Sequence, residues 1–268
     1  MDLHIYRFRL RTLGTLRFGT FPGPALRGAL GESREVYARL FAPPPALPQK
    51  RFADPPRPVT LRPRFGAGVY GPESVLELEL TLVGSAGAAL PAVVRALAQL
   101  GEEGIGDGRR DGDEAGRFTL EQVDSLGPRG TMPVVTPEGL FRPVQSPWRF
   151  PTEFASADAA EPAADRFRLD LVSPTFVNRR DQPRGTLAFS DLVDDLLRRV
   201  SLLSQGYGGG GVYTREEEFA LLDAAAGVEA VDSAVRWTEV ERYSRRQRGS
   251  MTFGGWMGWV EYAADPAR

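Results

Sequence analysis

Along residues 2–10 apolar and polar positions alternate: Leu3, Ile5, Phe8 and Leu10 are interleaved with His4, Arg7 and Arg9. A period of two sends successive side chains to opposite faces, so this stretch predicts a strand with one face buried. The loop TFPGP follows, with a proline at a helix-starting position. Residues 25–41 space Leu26, Leu30, Val36, Leu40 and Phe41 along one side of a helix, weakened by Gly28 and Gly31. The stretch APPPALPQKRFADPPRP is extended loop, because proline fixes φ and donates no backbone hydrogen bond. Two strands are expected over 58–65 and 74–84, the second (SVLELELTLVG) alternating cleanly. Residues 87–100 read as an apolar helix. The Gly-rich turn GEEGIGDGRRDGDEAG then leads into a strand over 117–125. The order β-α-β-β-α-β within one unit is that of the ferredoxin-like, or RRM-like, sandwich.

The second half repeats the order of elements. Residues 143–165 are rich in Pro, Ala and Ser and read as a linker, which Trp148 and Phe150 could pin to a domain. A strand over 166–177 precedes a helix over 189–205 with Leu192, Leu196, Val200 and Leu203 on one face. GYGGGG breaks the chain. The short helix REEEFALLDAAA carries three Glu in its first turn, where they suit the helix dipole. Strands over 228–243 and 250–263 follow. The expected fold is therefore α+β, with two tandem ferredoxin-like (RRM-like) domains over 1–142 and 166–268. The second lacks its last helix and strand.

Composition narrows the chemistry. The 268 residues are 42% hydrophobic and 25% charged, ordinary values for a globular protein. There is no cysteine, which excludes disulfides, thiolate metal sites and a Cys nucleophile. With a single His, a zinc site would rest mostly on carboxylates, so neither a metal nor a cofactor is expected. No apolar run is long enough to span a membrane, and the charged, alternating N-terminus is not a signal peptide, so the default location is the cytoplasm. Of the 33 basic residues all but Lys50 are Arg. The net charge of −2 divides unevenly: +8 over residues 1–65, −9 over 66–165 and −1 over 166–268. A locally positive surface is thus compatible with an acidic whole, and the local field is what steers a polyanion.

Several stretches resemble one family. GPALRGALG followed by YARLFAPP and PPRPVTLRP is similar to the N-terminal half of the CRISPR RAMP proteins that include the repeat-RNA endoribonucleases. The stretch from LTLVGSAGAALPAVVRALAQL through GIGDGRR to FTLEQV resembles the next block. LDLVSPTFV, FSDLVDDLLRRVSLLSQGYG and YSRRQRGSMTFGGWMGWVEY resemble the C-terminal domain. The resemblance implies two ferredoxin-like domains that bind CRISPR repeat RNA or guide RNA. It also implies metal-independent cleavage, in which a ribose 2′-hydroxyl attacks the adjacent phosphate and leaves a cyclic phosphate. Other effector-complex subunits are the implied partners. Relatives usually continue past the GGW-like strand, whereas this sequence stops at ADPAR. A missing strand would leave a sheet edge open to another chain. A non-catalytic subunit that only holds guide RNA, and a purely assembling domain, remain the alternatives.

Such cleavage needs a base near the 2′-oxygen, an acid near the 5′-oxygen and positive charge on the phosphorane. His4 is the only His. It falls on the face opposite Leu3 and Ile5, and a sheet-face imidazole without a catalytic part is its plain reading. Tyr37 lies in the first helix, near where relatives place catalytic residues, and its spacing from Leu30 and Leu40 also fits packing. Lys50 sits in the Pro-rich loop. The RNA-binding candidates are Arg27 in the first helix, Arg109 and Arg110 in the Gly-rich turn, Arg179 and Arg180 after a strand, and Arg242, Arg245, Arg246 and Arg248 beside Tyr243 in the last hairpin. Trp256 and Trp259 could stack bases, but alternation sends one of them to the core. The Gly-rich turn lacks GK[ST] and precedes a strand, so it is neither a Walker loop nor a dinucleotide fingerprint.

Overall fold

The computed structural model describes residues 1–42, 56–105, 115–136, 145–155, 166–177, 187–244 and 249–264. Contacts divide the chain into two units. Met1–Ala157 with Leu203–Gly210 form the first, and Asp158–Leu202 with Gly211–Arg268 the second.

In the first unit the alternating N-terminus is strand β1 (Asp2–Thr12), and it buries Tyr6, Phe8, Leu10 and Thr12. Leu3 and Ile5 therefore do not share the buried face with Phe8 and Leu10, contrary to the single apolar face expected from these four positions. The buried phase is the even one, and His4 shares it. Strand β2 (Leu16–Phe18) leads to helix α1 (Pro22–Leu30), which buries Leu26 and Leu30. The helix expected over 25–41 is broken. After α1 come a turn, the short helix α2 (Arg34–Val36) and a π-turn (Tyr37–Phe41) in which the Ala42 N–H donates to the Tyr37 carbonyl at 2.8 Å. Ser33 caps α2 through its side chain, and Pro43 disfavours helix at Ala42, so the chain restarts and stops within two turns. Strands β3 (Val59–Pro63), β4 (Gly68–Tyr70) and β5 (Val75–Val83) follow. A 3-10 turn (Gly84–Ala89) opens helix α3 (Leu90–Glu103). Strands β6 (Phe118–Gly127), β7 (Gly130–Val135) and β8 (Trp148–Arg149) and the short helix α4 (Thr152–Ala155) complete the unit.

The main sheet runs β3-β5-β1-β6-β7, every pair antiparallel, with β8 beside the start of β1. The order β6-β1-β5-β3 is the fourth-first-third-second arrangement of the split β-α-β plan. Its core joins the Leu76, Leu78, Leu80 and Leu82 row of β5 to Val93, Leu97 and Leu100 of α3 and to Leu26, Leu30 and Leu40. Each buried Leu contributes about 1.5–3 kcal/mol. The Trp148 indole N–H donates to the Leu126 carbonyl at 2.8 Å, which ties residues 148–149 to this unit.

The second unit is built from β9 (Arg166–Thr175), α5 (Phe189–Tyr207, its residues from Leu203 on belonging to the first unit), α6 (Arg215–Ala226), β10 (Val228–Ser244) and β11 (Gly249–Ala264). Its antiparallel order β10-β11-β9 fills the second, third and first positions of the same plan, as the sequence predicts. Leu171, Leu192, Trp256, Val260 and Tyr262 form its core, and the Tyr262 hydroxyl donates to the Leu187 carbonyl at 2.9 Å. A capping box between Thr214 and Glu217 starts α6.

Candidate functional site

The 3-10 turn between β5 and α3 gathers the candidates of the first unit. It packs on β1 on one side and on the π-turn on the other, so His4 and Tyr37 both belong to elements seated on the same six residues. The His4 ring lies against Gly87, where a Cβ would come within 2.6 Å of its Cδ2 and Nε2. The absent side chain thus makes room for the imidazole. Burial pushes the His4 pKa below its usual value, against the pull of Asp2 and of a hydrogen bond to the Gly84 backbone. The ring is therefore neutral at neutral pH and able to accept a proton. Gly84 adopts φ +53°, and a Cβ there would collide with the Tyr207 carbonyl oxygen. That contact brings the end of α5 onto the turn, and burial raises the Tyr207 pKa.

On the other side, Tyr37 packs against the core of the unit, and its N–H donates to the Ser33 carbonyl at 2.8 Å. Two cations meet the end of the π-turn. The Arg27 guanidinium lies 5.2 Å from the Phe41 ring centroid, and Arg57 Nε donates to the Phe41 carbonyl at 3.0 Å. Phe41 and Arg57 were not among the candidates. The break at Ser33, a capping residue inside an expected helix, was the signal that could have exposed this turn. π-turns within helices recur at functional sites.

Much of the positive charge of the described residues in 1–65 is paired with glutamates. Arg7, Arg9 and Arg11 of β1 and Arg62 of β3 share the helix-free face of the sheet with Glu77 and Glu79 of β5. Arg7 pairs with Glu79 at 3.2 Å, Arg9 with Glu77 at 3.6 Å and Arg62 with Glu79 at 3.5 Å. Arg64 also reaches Glu79, at 3.8 Å, and Arg11 is held between Glu121 and Glu73. These arginines are neutralised locally by glutamates that the sequence count assigned to another segment.

In the second unit, pairing between β9 and β11 ends at Trp256↔Thr175, whereas β10 and β11 continue through seven more pairs, from Thr238↔Gly255 to Ser244↔Gly249. At about 3.3 Å per residue this two-stranded ribbon runs on for roughly 20 Å. Arg242 stands on it, opposite Met251. Arg245, Arg246 and Arg248 lie outside the described residues, as do Lys50, Arg109, Arg110, Arg179 and Arg180. Alternation separates the two tryptophans: Trp256 is buried among the core residues, and Trp259 lies on the opposite, helix-free face. Among the described residues no cluster of His, Asp and Glu could hold a metal ion, and no helix is long and apolar enough to cross a membrane.

Comparison with known proteins agrees with this architecture. The family AF_1859_N, described as an N-terminal domain, matches residues 32–146. No curated protein matches the chain. Among solved structures, a Cas6 product complex is 19% identical, with a TM-score of 0.53 over 98% of this chain and 86% of that one. Thermus thermophilus Cas6 is 16% identical, with a TM-score of 0.53 over 98% and 83%. A partial Cas6-RT-Cas1–Cas2 complex is 12% identical, with a TM-score of 0.58 over all of this chain and 40% of that one. The fold of this chain is thus the one shared by these Cas6 structures.

Proposed function

We propose that this chain binds CRISPR repeat RNA, processes the precursor by metal-independent cleavage and stays on the repeat-derived product within a larger CRISPR complex. The observation that carries the reading is the extent of the likeness. Both units, over 98% of the chain, follow the fold of a Cas6 captured with its product. A second chain type fits the same surroundings, since a Cas6 portion also occurs joined to Cas1 and Cas2.

In this reading the neutral His4 takes the proton of the ribose 2′-hydroxyl. The freed oxygen attacks phosphorus, the bond to the 5′-oxygen breaks, and a 2′,3′-cyclic phosphate and a 5′-hydroxyl result. Tyr37 supplies the proton to the leaving oxygen, and Arg27 offsets charge on the phosphorane. Lys50, Arg109, Arg110, Arg179, Arg180 and the arginines of the last hairpin hold the backbone.

One observation favours the non-catalytic alternative: the His4 ring is already engaged by the Gly84 backbone and packed under Gly87. The deciding experiment incubates the full chain with repeat RNA in EDTA and analyses the ends. Cleavage to a cyclic phosphate that is lost in His4→Ala supports the enzyme. Stable binding with intact RNA supports the holding subunit. RNA that is neither cut nor retained removes both.

A further inference from the structure

The helix-free face of the second sheet carries a built stack that the cleavage reading does not use. Trp259 sits on β11, the central strand, and is partly buried. From β9 the Arg168 guanidinium lies over its ring, 4.5 Å from the centroid. Asp170, directly opposite Trp259 in the strand register, accepts from Arg168 Nε at 2.9 Å and Nη2 at 2.8 Å. The carboxylate thus occupies one edge of the guanidinium and fixes its plane, while the Arg168 side chain keeps 52% of its surface exposed. Arg236 is exposed on the same face, two residues along β10 from Ala234, which pairs with Trp259.

The first unit has the same strand plan, but among its described residues no guanidinium lies clamped over an indole. The helix-free face of β1, β3 and β5 holds Leu3, Ile5, Thr60, Thr81 and the arginine–glutamate pairs, and the ring beside it, Trp148 opposite Leu3, donates its N–H to the Leu126 carbonyl instead of carrying a guanidinium. The two sheets are therefore not interchangeable as surfaces. A clamped guanidinium on an indole offers a flat, polar, cationic plane of the kind on which unpaired nucleobases stack. Its charge is balanced by Asp170, so the plane selects for a ring more than for a phosphate.

We propose that Trp259 and Arg168 form a stacking site for one unpaired nucleobase of a single-stranded RNA segment, with Asp170 as the positioning residue that holds the guanidinium plane. The site rests on the RNA-binding reading above and adds to it a contact with a base. From the sheet outward the stack is Trp259, Arg168, base. Trp259 takes no part in the unit's core, so its replacement leaves Trp256, Val260 and Tyr262 in place.

The test compares the affinity of the full chain for a single-stranded repeat oligonucleotide with that for the same oligonucleotide carrying abasic positions. The variants are Trp259→Ala and Arg168→Lys, the second keeping the charge without the plane. The site predicts that both weaken binding of the normal oligonucleotide by about 5- to 100-fold and leave the abasic one nearly unchanged. Asp170→Asn is expected to give a smaller loss in the same direction. Equal affinity of wild type and Arg168→Lys for the normal oligonucleotide overturns the stack while leaving RNA binding intact. Equal losses for normal and abasic RNA also overturn it, by showing a backbone contact. Absence of any binding by the wild type at low salt overturns the stack and the RNA-binding reading together.

Discussion

The imidazole of His4 rests on the backbone of Gly87 at a distance that leaves no room for a methyl group. Replacing Gly87 by Ala would place a Cβ about where the ring now lies, and overpacking of this kind costs about 1–3 kcal/mol. The three atoms nearest that Cβ all belong to His4, so shortening His4 relieves the tightest contacts. Gly87→Ala is expected to destabilise the wild type in urea unfolding and to cost much less in a His4→Ala background. The two substitutions are non-additive because they share one contact. Additive losses would separate the pair.

The same burial sets a pH dependence. Desolvation holds the His4 pKa below that of the unfolded chain, about 6.5. The unfolded state therefore binds more protons in the window between the two values. The stabilisation is fully present above the unfolded pKa and is lost as pH falls from there through the lower folded pKa. Urea midpoints measured at about pH 7 and about pH 5.5 should fall more for the wild type than for His4→Gln. His4 is the only histidine, so this difference isolates it from carboxylates common to both proteins.

Glu79 receives Arg7, Arg62 and Arg64 on the helix-free face of the first sheet. Glu79→Gln removes the shared partner of all three and leaves Arg7 only its longer contact to Glu77, at 3.9 Å. The Arg62 and Arg64 side chains are 67% and 43% exposed, so solvent screens much of the interaction. The expected stability loss is about 1 kcal/mol or less at low salt and smaller at high salt. Binding to non-specific RNA should rise at low salt, because a face now neutral becomes positive. Unchanged non-specific binding would mean that this face does not meet RNA even when charged.

Where the period was long and regular, the sequence was legible. The β5 row of four leucines and the β10–β11 hairpin fall within a residue of their expected places, and the apolar α3 is displaced by three residues because a 3-10 turn takes up Gly84–Ala89. The element order was enough for the split β-α-β plan in both units. The first strand shows the limit. Leu3 and Ile5 have the wrong parity for Phe8 and Leu10, and Tyr6 settles which face is buried. An expected helix over 25–41 missed the break because Val36, Leu40 and Phe41 keep an apolar spacing across it. The pairing of Arg7 with Glu79 spans 72 residues, so a count by segment reads the two as separate charges. The Arg168–Trp259 stack joins two strands that no local pattern connects.

RNA recognition by this chain is tested most directly by an equilibrium titration. CRISPR repeat RNA is titrated with the full chain at about 50 mM and about 200 mM salt, for the wild type and for the double variant Arg245→Glu, Arg246→Glu. The predicted result is retention at the lower salt, a loss of about 10-fold or more at the higher, and a further loss in the variant. Failure of the wild type to retain the RNA at the lower salt would contradict the account.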